Sequence, residues 1–91
     1  MTVTVRIPTQ LRSLSGGAAE VALEPGTVSE VLAALEAAHP GFGERIFDPA
    51  GAIRRFVNVF VAEEDIRFLD GADTVIADGQ VVSIIPAVAG G

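Results

Sequence analysis

The chain predicts an α+β fold, a sheet of four or five strands packed on one main helix. Three observations point there: period-two alternation at the N-terminus, one amphipathic segment opened by a capping signal, and two β-branched runs after it.

Val3, Val5 and Ile7 alternate with Thr2, Thr4 and Arg6, the spacing of a half-buried strand that Pro8 ends. Residues 13–18 carry Gly16-Gly17 and read as a turn. Glu20–Leu23 reads as a second short strand, so the two form an N-terminal hairpin. Pro25-Gly26 breaks that strand. Thr27 with Glu30 three residues on is a capping box, in which hydroxyl and carboxylate satisfy exposed helix N–H groups reciprocally. Val28, Val31, Leu32 and Leu35 follow at i, i+3, i+4 and i+7, one apolar stripe, and His39-Pro40-Gly41 ends the helix. Residues 41–52 read as a loop or short helical turn anchored by Phe42, Ile46 and Phe47.

Residues 54–61 form the longest strand candidate, expected near the middle of the sheet from their length and β-branched content. Glu63-Glu64-Asp65 reads as a hairpin turn into a short 65–68 segment, and Gly71 and Asp78-Gly79 mark further turns. Residues 81–85 make the last strand, ended by Pro86. The order β-β-α-β-(β)-β is that of the β-grasp, the ubiquitin-like arrangement of one mixed sheet curled around one helix. The domain is expected to span residues 1–86 and a flexible tail residues 87–91.

With 91 residues there is room for one core. A 49% hydrophobic and 20% charged composition argues against disorder. Cysteine is absent, which removes disulfides, thiolate metal sites and thiol nucleophiles together. There is no signal-peptide pattern at the N-terminus and no run of about 18 apolar residues. A cytoplasmic location without membrane partners is the expectation. The net charge of −6, from twelve acids against six arginines and no lysine, disfavours nucleic acid and suits a basic protein partner.

Alternation divides the sheet into faces. Val3, Val5 and Ile7 are assigned to the helix side because their neighbours are polar, and Val57, Val59, Val61, Val82 and Ile84 because Asn58 and Ser83 mark the other. Phe56, Phe60, Val81 and Ile85 then fall on the outer face, a candidate partner interface. The alternative is that loops or the 41–52 segment cover them.

Gly91 is the candidate chemical site. A C-terminal carboxyl has a pKa of roughly 3.3–3.7, so at neutral pH it is an anion and a poor electrophile. Adenylation supplies a leaving group, after which sulfur can displace AMP and leave a thiocarboxylate. Gly90 and Gly91 lack a Cβ and can pass a narrow channel. Ala87, Val88 and Ala89 complete a tail reaching about 17 Å beyond Pro86, at roughly 3.3–3.6 Å per residue. A frayed end is the bland reading of the same residues.

The segment Ile84-Ile85-Pro86-Ala87-Val88-Ala89-Gly90-Gly91 resembles the C-terminus of the MoaD/ThiS sulfur-carrier family, where a strand leads through proline into Gly-Gly. Thr74 to Gly79, with Val82 and Ile84, resembles that family's "T.L.DGD.V.I.P" stretch, with Gln80 in place of the common acid. Phe56 to Val61 followed by Glu64 to Arg67 resembles its "VN…DIR" pattern. Ile7 to Arg12, Arg55 to Asn58, Glu64 to Phe68 and Pro86 to Gly91 are most similar to the actinobacterial branch that supplies sulfur for cysteine.

The resemblance implies adenylation of Gly91 by a MoeB/ThiF-like enzyme that binds the ATP. It also implies a PLP-dependent cysteine synthase as sulfur acceptor and a zinc-dependent peptidase that regenerates the tail. Thiosugar, thiamin or molybdopterin synthesis are alternative destinations. A ubiquitin-like protein modifier and a plain interaction module are the competing classes.

No cofactor, metal or catalytic site is expected in the chain itself. His39 sits at a helix C-terminus, Ser13, Ser15, Ser29 and Ser83 lack a base, and Glu63, Glu64 and Asp65 lack calcium-loop spacing.

Overall fold

The computed structural model describes residues 1–86. Strand β1 (Val3–Arg6) pairs antiparallel with β2 (Glu20–Leu23), and helix α1 (Val28–Ala38) follows across a two-residue strand β3 (Gly26–Thr27). Helix α2 (Phe42–Ile46) leads to β4 (Val57–Val61) and β5 (Glu64–Asp65). Then come β6 (Val75–Ile76) and β7 (Val81–Pro86). The main sheet has the order β2-β1-β7-β4-β5, and β1 and β7 run parallel side by side. This is the β-grasp arrangement expected from the element order.

The faces fall as the alternation requires. Val3, Val5, Ile7, Val57, Val59, Val61, Val82 and Ile84 are all buried against Val28, Val31, Leu32 and Leu35 of α1. The helix starts where the capping box places it. The Glu30 N–H donates to Thr27 Oγ1 at 3.2 Å, and the Thr27 N–H donates to Glu30 Oε1 at 2.9 Å. It stops at His39, whose N–H reaches the Leu35 carbonyl and whose ring packs edge-on against Phe42. Glu36 then ties the two helices, its carboxylate accepting from Gly41 N–H and, at 2.6 Å, Gly43 N–H. Gly41 turns the chain at φ 113, and a Cβ there would stand 3.0 Å from Leu14.

Four details differ from the sequence expectation. The strand expected over 54–61 begins only at Val57, because the Arg54 N–H goes to the Ile46 carbonyl and the Val57 N–H turns back to the Arg54 carbonyl. The longest strand is therefore β7, which occupies the middle of the five-stranded sheet and includes Pro86, opposite Val57; β4 lies one strand in from the edge. The 65–68 segment is strand only at its first residue and becomes a 3-10 turn over Ile66–Phe68, opened by Asp65 accepting from the Arg67 N–H. Residues Thr9–Ser15 wind into a 3-10 helix, closed by Gly16 in the left-handed region, so only the end of 13–18 is turn.

Candidate functional site

Gly91, Gly90, Ala89, Val88 and Ala87, the expected reactive end, lie outside the described residues. The structure defines their root. Residue 87 follows from the C-terminal end of the central strand, whose last two residues, Ile85 and Pro86, stand opposite Asn58 and Val57. A cleft of about 180 Å³ opens beside Pro86, walled by Gln10, Leu11, Arg45, Phe56 and Ile84. Elements far apart in sequence meet there. β1 is parallel to β7, so the 3-10 helix that follows β1 arrives at the same end, while β4 is antiparallel and starts there.

One side chain holds this end together. The Arg67 guanidinium donates from Nη2 to the carbonyls of Arg55 and Val57, each at 3.3 Å, and to Asn58 Oδ1. Asp65 Oδ1 lies 3.9 Å from its Nε. Three oxygens from the start of β4 are thus gathered by one cation, which pins the strand that borders the tail root. Nothing in the sequence reading gave Arg67 that role. The available signal was Asn58, a polar residue in an otherwise apolar strand, with an arginine one hairpin later.

The four outer residues do not form one group. Phe60 stands opposite Ser83, between Val81 and Ile85, within aromatic reach of both along the diagonal. Ile85 is 49% exposed, whereas Phe60 and Val81 are half-buried. Phe56 precedes the strand and belongs to the cleft beside Pro86, with 45% of its surface exposed.

The other polar candidates occupy structural positions. Ser15 is buried with its hydroxyl at 3.1 Å from the Arg12 carbonyl and 2.7 Å from that of Ala18. Glu63 shares the β4–β5 turn with Ala62, and Glu64 pairs in β5 opposite Val61. Among the described residues no three His, Cys, Asp or Glu side chains gather as a metal site would require. Nor is any helix there long and apolar enough to cross a membrane.

The ThiS family profile matches residues 5–91. The chain belongs to the ThiS family. It is 50% identical over 93 aligned positions to the sulfur carrier protein CysO of Mycobacterium tuberculosis, covering all of both chains. It is 38% identical to small archaeal modifier protein 3 of Haloferax volcanii over 68 positions, 75% of this chain and 73% of that one. Among solved structures it superposes on a chain of the Amycolatopsis orientalis BexX/CysO complex with a TM-score of 0.91. That pair is 42% identical, covering 98% of this chain and 99% of the other.

Proposed function

We propose that this chain carries sulfur as a thiocarboxylate on Gly91 and is acted on by other enzymes rather than catalysing a reaction itself. The observation that supports it most is the reach of the family match, which runs from residue 5 to Gly91. The full-length similarity to a sulfur carrier protein points the same way.

The chemistry balances as two displacements. The Gly91 carboxylate attacks the α-phosphorus of ATP on a MoeB/ThiF-like enzyme, and pyrophosphate leaves. A sulfide equivalent then attacks the acyl carbon and AMP leaves, giving the thiocarboxylate. The chain's own contribution is a firm root and a small-residue end that can enter the activating pocket. Cysteine supply through a PLP-dependent cysteine synthase is the destination proposed, with a zinc-dependent peptidase restoring the carboxylate. The similarity to a small archaeal modifier protein favours one second reading, an isopeptide between Gly91 and a lysine of another protein.

Intact-mass spectrometry after incubation with a MoeB/ThiF-like enzyme, ATP and sulfide tests both. The carrier reading expects a gain equal to one sulfur replacing one oxygen, lost on deleting Gly91. A ladder of heavier conjugates in cell extract, without that gain, would favour the modifier. An unchanged mass with an activator that thiolates its own carrier would end the carrier reading.

A further inference from the structure

We propose that a hollow on the helix side of β4 is a docking site for a partner protein's segment that combines leucine-like side chains with flanking carboxylates. The hollow has a volume of about 520 Å³, within the roughly 300–1,000 Å³ span of binding pockets. Val57, Val59 and Ile66 form its floor, Phe47 and Ile53 its wall, and Arg54, Arg55 and Arg67 line it as well. Pro86 and the outer-face residues Phe60, Val81 and Ile85 do not line it. It shares only Val57 with the cleft beside Pro86 and no residue with the outer patch.

Charge selects the occupant. The chain carries −6 overall, yet three of its six arginines surround this one apolar hollow. Among the described residues no carboxylate lies within 4.0 Å of the Arg54 or Arg55 side chain, and Arg67 meets Asp65 only at 3.9 Å. In a protein with twice as many acids as bases, Arg54 and Arg55 thus set uncompensated positive charge beside an apolar floor. A segment that is apolar and acidic fits both features, with side chains for the floor and carboxylates for the guanidinium forks. Phe68, 85% exposed, and Leu69, 40% exposed, continue the apolar surface beyond Arg67.

The test needs no Gly91 chemistry, so its failure leaves the carrier reading untouched. The isotope-labelled chain is titrated with a synthetic peptide of two leucines flanked by glutamates, in low salt, and followed by amide shifts. Expected shifts cluster at residues 51–55, 66–67 and 71–72. Arg55→Glu, at an exposed side chain with no hydrogen-bond partner among the described residues, weakens binding about tenfold, as turning one attractive pair repulsive implies. Ala72→Trp, filling the hollow from its exposed rim, abolishes the shifts while the circular dichroism is retained. Should that variant misfold, Arg55→Glu decides alone. Equal binding of a lysine-flanked peptide, shifts centred on Phe60 and Ile85, or none up to millimolar peptide would each overturn the proposal.

Discussion

Replacing Arg67 by alanine removes one guanidinium from three acceptors at once: the carbonyls of Arg55 and Val57 and the Asn58 side chain. A hydrogen bond to a charged group contributes about 1.5–3 kcal/mol net where it is shielded from water. The Arg67 side chain is 54% exposed, so water substitutes for part of the loss and screens the charge. Val57 itself is only 3% exposed, however, so that residue is less readily resolvated. The balance is a cost of about 1–2 kcal/mol for Arg67→Ala, each kcal/mol lowering Tm by about 4–8 °C in a domain of this size. Arg67→Lys keeps the charge but not the fork, and recovers less than half of the loss. Urea titrations of the wild type, Arg67→Ala, Asn58→Ala and the double variant measure both the cost and the coupling, expected at about 0.5–1 kcal/mol. An Arg67→Ala midpoint equal to wild type, or additivity of the two single changes, would refute the assignment of Arg67 as the clasp of β4.

Three further outcomes are expected. Thr27→Ala opens the capping box and costs about 1 kcal/mol in thermal unfolding, with less loss for Thr27→Ser. Ala62 and Glu63 form the two-residue β4–β5 turn with φ of 50 and 74, a conformation better suited to Asn-Gly. Ala62→Asn with Glu63→Gly should therefore raise stability by about 0.5–1 kcal/mol, measured by urea unfolding. Phe60→Asp costs only about 1 kcal/mol of stability because the ring is half-buried, but it weakens binding to the activating enzyme at least tenfold in a titration if the outer patch is the interface.

Where side chains alternate or repeat with a single period, the sequence was legible. Val3, Val5 and Ile7 declare their face without help from any neighbour, and Thr27 with Glu30 is a local hydrogen-bonding unit that forms wherever its helix does. The segments that were not legible owe their shape to distant partners. The start of β4 is postponed because the Ile46 carbonyl captures the Arg54 N–H, a contact that no window around residue 54 contains. The short pair β3 and β6 exists because Thr74 receives the Val28 N–H and brings Val75 beside Thr27. Phe56 lies outside the alternation because the strand begins only at Val57. Of the site, the Gly90-Gly91 expectation lies outside the described residues, while the Arg67 clasp joins residues 55, 57, 58 and 67 across a hairpin and only folding shows it.

The placement of β7 between a parallel and an antiparallel neighbour carries a mechanical consequence. A partner that draws on residue 87 and beyond pulls along the axis of a strand paired with β4 over Val82–Pro86 and with β1 over Val81–Ser83. Loaded along that axis, the β4 ladder is sheared rather than opened one rung at a time, and the β1 ladder is loaded behind it at Val81–Ser83.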